Sequence, residues 1–81
     1  MQIDFYGADW CADCRRSKGL LTNLKITFNY HDVSTSPEAT RKAKELSGRT
    51  NIPVIRFEDG LVLVEPTNPE LVDALTLRKL I

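Results

Sequence analysis

The sequence has no excess of charge of either sign, because its 11 lysines and arginines balance its 11 aspartates and glutamates. Proteins that bind nucleic acid or anionic membranes through charge carry a basic excess, so we expect neither partner. Long apolar runs are absent as well, and stretches such as residues 61–64 are far too short to span a bilayer. The first ten residues contain no basic segment followed by an apolar stretch, as a secretory signal requires. We therefore predict a cytoplasmic protein.

Cysteine is scarce, with two residues in 81, and both lie in the pentapeptide WCADC at residues 10–14. A structural disulfide is not expected in a reducing compartment. A bridge closing so short a ring would stabilise the fold by only about 2 kcal/mol, against roughly 3 kcal/mol for a 15-residue loop. At 42% hydrophobic and 27% charged residues, the composition is that of a folded globular protein. We predict one domain over residues 1–81.

The hydrophobic periodicity predicts the element order β-α-β-α-β-β-α. The tripeptide Ser36-Pro37-Glu38 has a capping hydroxyl, an early proline and an acid, which together begin a helix, and Thr67 begins another in the same way. The pair Asp59-Gly60 predicts a hairpin turn. The predicted elements are a strand at 3–6, a helix from Cys11 or Ala12, a strand at 26–30, a helix ended by Gly48, strands at 53–57 and 61–65, and a final helix running to Ile81.

The spacing of the two cysteines predicts a redox pair. Residues three apart on a helix have Cβ atoms about 5–6 Å apart, so a small adjustment can close a disulfide between them. The free N–H groups and the dipole at the helix start favour a negative charge on Cys11, whereas Cys14 lies one turn deeper. The carboxylates of Asp9 and Asp13 oppose this effect, and the two arginines after the pair partly offset them. We predict Cys11 as the nucleophile and Cys14 as the resolving thiol.

Two simpler interpretations of the cysteine pair are inert helix cysteines and half of a zinc site. The only other good zinc ligand in the chain is His31, and there is no second CxxC motif. A CxxC that follows a strand and begins a βαβ unit is typical of redox proteins, which favours redox chemistry over both. We expect no metal.

Pro53 lies at the start of the third predicted strand, where its missing N–H does not interrupt a sheet. The alternative is a cis peptide bond between Ile52 and Pro53, which is a minority state in folded proteins. A cis turn against the cysteine pair would present the backbone N–H and C=O of Ile52 outward, where they could pair with a substrate backbone like an added strand. The residues themselves leave both interpretations open.

Three segments together resemble the glutaredoxin branch of the thioredoxin fold: WCADC after a strand, TNIP before the third strand, and FEDG before a hairpin. The resemblance covers essentially all 81 residues and is closest to the mycoredoxins, in residues 48–53 and 59–66. It implies an α/β thioredoxin-like fold with a four-stranded mixed sheet in the order 2-1-3-4. It also implies a cis Pro53 and a nucleophilic Cys11, which reduces disulfides with electrons from a low-molecular-weight thiol or a reductase.

The chain departs from the glutaredoxin pattern at two places. Ala12-Asp13 replaces the usual Pro-Tyr between the cysteines, and residues 65–69 lack the paired glycines and aspartates that help to hold glutathione. Mycothiol is therefore a candidate co-substrate beside glutathione. By position, the thiol groove would be lined by Trp10, Asn51, Ile52, Pro53, Thr67 and Asn68. The last two begin a helix, whose N–H groups can bind a carboxylate.

The function we expect is the reduction of mixed disulfides between proteins and a low-molecular-weight thiol. The partners would be disulfide-containing proteins, the small thiol and in some cases a reductase, and we expect the protein to act as a monomer. One alternative is an electron donor that is reduced by thioredoxin reductase. Another is a binding protein in which two chains hold an iron–sulfur cluster, and a third is an interaction module with an unreactive Cys11.

Overall fold

A computed structural model describes all 81 residues and contains four strands and three helices in the predicted order. The strands are β1 (Ile3–Gly7), β2 (Asn29–Asp32), β3 (Val54–Phe57) and β4 (Val62–Val64), and the helices are α1 (Ala12–Asn23), α2 (Pro37–Ser47) and α3 (Asn68–Leu77). They form one mixed sheet in the order β2-β1-β3-β4, in which only β1 and β2 are parallel. The α/β fold and the sheet order are thus confirmed. None of the helices has the length and apolar character needed to span a bilayer.

Two hydrophobic clusters cover the two faces of the sheet. Successive residues of a strand point to opposite faces, so the β1 neighbours Phe5 and Tyr6 belong to different clusters. On one face α2 packs through Ala39 and Ala43 against Tyr6 and Val54. The other face carries the larger cluster under α1 and α3, formed by Ile3, Phe5, Cys14, Leu21, Ile55, Phe57, Leu71, Ala74 and Leu75. One of the two cysteines is therefore part of the hydrophobic core.

The predicted helix starts at Ser36 and Thr67 and the predicted stop at Gly48 are confirmed. The Ser36 hydroxyl caps α2 by accepting the Ala39 N–H at 3.1 Å, and Gly48 ends that helix in the left-handed conformation with φ 75°. At α3 the Thr67 hydroxyl accepts the Glu70 N–H at 3.2 Å, and the Glu70 carboxylate accepts the Thr67 N–H at 2.8 Å. This reciprocal pair is a capping box, so the chain direction at both helix starts is fixed by local hydrogen bonds.

The prediction for the second strand was wrong by three residues, since β2 begins at Asn29 and not at residue 26. The chain just before β2 forms the turn that ends α1: Lys25 has φ 60°, and the Ile26 N–H donates to the Leu21 carbonyl at 2.9 Å. In the parallel register Asn29 is opposite Asp4, so residues 26 and 27 would lie opposite Met1 and Gln2, which precede β1.

The prediction for the last helix was also wrong, because α3 ends at Leu77 and does not reach Ile81. Lys79 has φ 58°, and the Leu80 N–H turns back to the Leu75 carbonyl at 3.0 Å, which closes the helix. Apolar residues continue past this point, but the side chain of Leu77 is 80% exposed. β2 ends at Asp32, two residues after the predicted end, and the remaining boundaries agree with the prediction to within one residue.

Gly7 ends β1 in close contact with the buried cysteine. A Cβ atom at this position would lie 2.8 Å from the Phe5 ring and 3.0 Å from the Cys14 sulfur. Both neighbours are buried, so we expect Gly7→Ala to lower the free energy of unfolding by about 1–3 kcal/mol, the usual cost of overpacking a core. Denaturant unfolding measures this change.

Gly19→Ala is the matched control, because it makes the same substitution inside α1 with no atom within 4 Å of the new Cβ. Its stability should rise by about 0.5–1 kcal/mol, since alanine favours the helix more than glycine does. Equal stability of Gly7→Ala and the wild type would contradict the close packing at Gly7.

Candidate active site

Cys11 is the N-cap residue of α1. Its backbone is extended (φ −89°, ψ 118°), its carbonyl accepts the Arg15 N–H at 3.0 Å, and its sulfur accepts the Cys14 N–H at 3.3 Å. The sulfur therefore takes the place that a serine or aspartate oxygen occupies in other helices. It lies at the positive end of the helix dipole, where a negative charge is stabilised.

The two cysteines differ strongly in exposure, although both are free thiols. Cys11 is partly exposed, whereas Cys14 is 1% exposed and belongs to the core cluster. Burial raises the pKa of Cys14 to about 12, and its contact with Cys11 adds to the increase. A substrate can thus reach the first sulfur directly, while the second stays protonated at neutral pH.

The turn before β3 lies against the first cysteine. The peptide bond between Ile52 and Pro53 is cis, as the family resemblance implies. The Ile52 carbonyl is 4.0 Å from the Cys11 sulfur and accepts its S–H, and Pro53 is buried. The Pro53 carbonyl in turn accepts the Glu65 N–H at 2.9 Å, which ties the turn to the end of β4.

An open hollow of about 350 Å³ lies beside the first turn of α1, lined by Asp13, Arg16, Glu65, Thr67 and Asn68. Arg16 forms one of its walls. Its guanidinium donates to the Pro66 carbonyl at 2.8 Å and to the Asn68 side-chain oxygen, and it lies 3.6 Å from the Asp13 carboxylate. These contacts connect α1 to the start of α3, so both helices hold the hollow in place.

The N-terminus of α3 has few N–H groups left for a ligand. Those of Thr67 and Glu70 are used in the capping box, and Pro69 has none. The hydrogen bonds from Thr67 lower the pKa of Glu70, so this helix end already holds a carboxylate. Of the first-turn donors, only the Asn68 N–H is left for an outside acceptor.

The cations near Cys11 are also engaged within the protein. The Arg15 guanidinium donates to the Asp9 carbonyl at 2.8 Å, and the Lys18 ammonium is 3.9 Å from the Asp9 carboxylate. The same carboxylate accepts the Tyr30 hydroxyl at 3.3 Å. Burial raises the pKa of Tyr30 to about 12, and the Asp9 charge adds to the increase. This tyrosine is therefore a neutral donor at physiological pH.

Trp10 was predicted to line the groove, but its side chain is 70% exposed and does not line the hollow. The sequence predicts groove positions for it and for Asn51, whose side-chain amide donates to the Glu65 carboxylate at 2.8 Å. Of the remaining predicted residues, Cys14 and Ile52 lie against Cys11, and Thr67 and Asn68 line the hollow. Pro53 lies between these two places, because it follows Ile52 and its carbonyl accepts the Glu65 N–H.

Arg16 and Glu65 line the hollow but were not predicted as groove residues from the sequence. The spacing of Arg16 from Asp13 is a local signal for an ion pair on a helix, but nothing local indicates its bonds to residues 66 and 68. Glu65 has φ 49°, a conformation that sequences usually mark with glycine or asparagine. A glutamate at this position gives no such signal.

Comparison with known proteins identifies similar sequences and folds. The family model for glutaredoxin matches residues 3–62. A Mycobacterium tuberculosis protein named as a glutaredoxin is 31% identical over 74 residues, which cover 85% of this chain and 83% of that relative. The structure of the Escherichia coli NrdH-redoxin, a glutaredoxin-like protein with a thioredoxin-like activity profile, has 27% identity, 93% and 95% coverage and a TM-score of 0.75. A Brucella melitensis glutaredoxin has 28% identity, 99% and 87% coverage and a TM-score of 0.74.

Proposed function

Because the chain belongs to the glutaredoxin family and is a thiol–disulfide oxidoreductase, we propose that it reduces mixed disulfides between proteins and a low-molecular-weight thiol in the cytoplasm. The observation that carries this proposal is the difference between the two sulfurs. Cys11 is partly exposed at a helix N-cap, and Cys14 is buried one turn deeper. An exposed, helix-stabilised thiolate is suited to attack, and a buried thiol is not.

In the first step the Cys11 thiolate attacks the small-thiol sulfur of the mixed disulfide. A new S–S bond forms between Cys11 and the small thiol as the old bond breaks, and the substrate protein leaves as a thiolate that takes a proton from water. The Cys14 N–H, which donates to the Cys11 sulfur at 3.3 Å, stabilises the attacking charge. The Ile52 backbone beside that sulfur offers a site at which a substrate strand can align.

In the second step a second molecule of the small thiol, mycothiol or glutathione, attacks the new bond between Cys11 and the first small thiol, at the sulfur of the small thiol. It restores the Cys11 thiolate and leaves as a disulfide of two small thiols, so the disulfide bond passes from the substrate protein to the small-thiol pair and only one free small thiol is oxidised in each cycle. The alternative is attack by Cys14, which releases the small thiol and forms a bond between the two cysteines. Burial and the raised pKa of Cys14 favour the first route over the second at neutral pH.

A second candidate function is electron donation from thioredoxin reductase to protein disulfides. The similarity to the NrdH-redoxin, at 27% identity over most of both chains, favours this function. It requires the route through Cys14, because a reductase of this type acts on a disulfide between the two cysteines.

A turnover assay with a model mixed disulfide tests the proposal. Reduced protein would be supplied either with mycothiol or glutathione, or with thioredoxin reductase and NADPH. We expect turnover with a small thiol and expect Cys14→Ser to retain it, because the second step does not need the buried sulfur. Turnover with the reductase alone, lost in Cys14→Ser, would support the second candidate instead. The absence of turnover in every arm would contradict both functions.

A further inference from the structure

Glu65 has an unusual backbone conformation for its place in the fold. Three non-glycine residues have positive φ, and two of them, Lys25 and Lys79, directly follow helices, where this conformation is common. Glu65, with φ 49°, follows a strand instead. Glycine would adopt this conformation without strain, and strained residues concentrate at functional sites. The glutamate side chain is therefore a candidate for a functional role.

The Glu65 carboxylate is held in a defined place on the hollow. One of its oxygens accepts the Asn51 amide at 2.8 Å, and the backbone N–H of Glu65 donates to the Pro53 carbonyl at 2.9 Å. The hydrogen bond to Asn51 uses Oε1 only, so the second oxygen is left for an outside donor. The hollow also contains the carboxylate of Asp13.

Arg16 and the Thr67 N–H, two donors of the hollow, are already engaged within the protein. The Arg16 guanidinium donates to the Pro66 carbonyl and the Asn68 side chain, and it also lies beside Asp13. The Thr67 N–H donates to the carboxylate of the α3 capping box. The hollow therefore has two carboxylates against one arginine, which is an excess of one negative charge, and that arginine is already engaged within the protein.

From this balance we propose that Glu65 is a specificity-determining residue. It selects disulfides with an ammonium or guanidinium group near the reacting sulfur and disfavours those with a carboxylate there. The free oxygen of Glu65 accepts the cationic donor, whereas a substrate carboxylate would meet like charge and an arginine that is already engaged. The inference rests on the proposed function, because it concerns the half of the disulfide that lies beside Cys11 during exchange.

Three small disulfides of similar size test the selectivity. One reporter peptide thiol would be coupled to cysteamine, which is cationic, to 2-mercaptoethanol, which is neutral, and to 3-mercaptopropionate, which is anionic. The measured quantity is the ratio of the exchange rate with the cationic disulfide to that with the anionic one. Comparing this ratio between wild type and Glu65→Gln cancels the intrinsic reactivity of each disulfide.

We expect the ratio to fall about fivefold in Glu65→Gln. The variant loses the attraction between Glu65 and the cationic disulfide and also the repulsion between Glu65 and the anionic one, and both contacts are at an exposed site. High salt should also lower the ratio in the wild type, because it screens exposed charges. Glu45→Gln is the matched control. This glutamate is exposed on α2, on the opposite face of the sheet, and its removal should leave the ratio unchanged.

Glu65→Gly is a second variant that removes the carboxylate and also suits the backbone conformation, so it keeps the test valid if Glu65→Gln folds poorly. It should show the same fall in the ratio. Exchange that proceeds with an unchanged ratio in both Glu65 variants would overturn this inference and leave the proposed function standing. Failure of the wild type to exchange with any of the three disulfides would overturn the proposed function itself.

Discussion

Cys11→Ser should lower disulfide exchange to the uncatalysed rate. A serine hydroxyl ionises far less readily than a thiol and cannot form the mixed disulfide through which exchange proceeds. The fold should persist, because serine is a favoured N-cap residue and its hydroxyl can accept the Cys14 N–H as the sulfur does. The turnover assay measures the activity, and denaturant unfolding of the same sample measures the stability.

Cys14→Ser is the matched control for this result, since it replaces the other sulfur one turn deeper in the same helix. The two variants together separate the nucleophile from its neighbour: the first should lose all exchange, and the second should retain the route through the small thiol. Full activity in Cys11→Ser would overturn the assignment of the nucleophile.

Cys14 should resist alkylation in the folded protein by a large factor. A thiol with a pKa of about 12 has, at pH 7, a thiolate fraction roughly three thousandfold smaller than that of a free cysteine near 8.5. Burial further blocks the reagent, since the side chain is 1% exposed. The rate should rise about tenfold per pH unit, because the thiolate fraction does so up to the pKa. Iodoacetamide labelling of Cys11→Ser, in which Cys14 is the only thiol, measures this rate by mass spectrometry. This variant loses the contribution of Cys11 to the raised pKa but keeps burial, which is the largest cause.

The same labelling in denaturant supplies the reference, because unfolding exposes the sulfur and should restore the reactivity of a free cysteine. The folded protein gains stability from keeping Cys14 protonated. Since the folded pKa is raised, this contribution is complete below the unfolded pKa and is lost as the pH rises towards about 12. Rapid labelling of Cys14 at pH 7 without unfolding would contradict its place in the core.

Local sequence signals predicted most of the fold. The caps at Ser36 and Thr67 and the stop at Gly48 fix helix ends through contacts within a few residues, so the sequence can show them directly. The second strand was misplaced because its start depends on pairing with β1, where Asn29 is opposite Asp4, and no local sequence pattern indicates this pairing. The last helix was extended too far because an apolar pattern continues after Leu77, where the backbone turns back on itself.

The chemistry of the site could be predicted from the sequence more fully than the distribution of charge around it. The positions of the two cysteines follow from one strand-to-helix junction, and the structure places them at the N-cap and in the core. The hollow beside them depends instead on Arg16 and Glu65, whose contacts join segments far apart in the chain. The residues that line the hollow could therefore be identified only from the folded structure, in which these distant segments are in contact.

We expect Cys11 to be an accessible nucleophile that the N-terminus of α1 makes reactive. The most direct measurement is the alkylation rate of Cys14→Ser, whose only thiol is Cys11, followed across pH beside free cysteine. At neutral pH this thiol should react faster than free cysteine while the protein is folded. A rate no faster than that of free cysteine, or labelling that requires unfolding, would show that Cys11 is not an accessible, activated nucleophile.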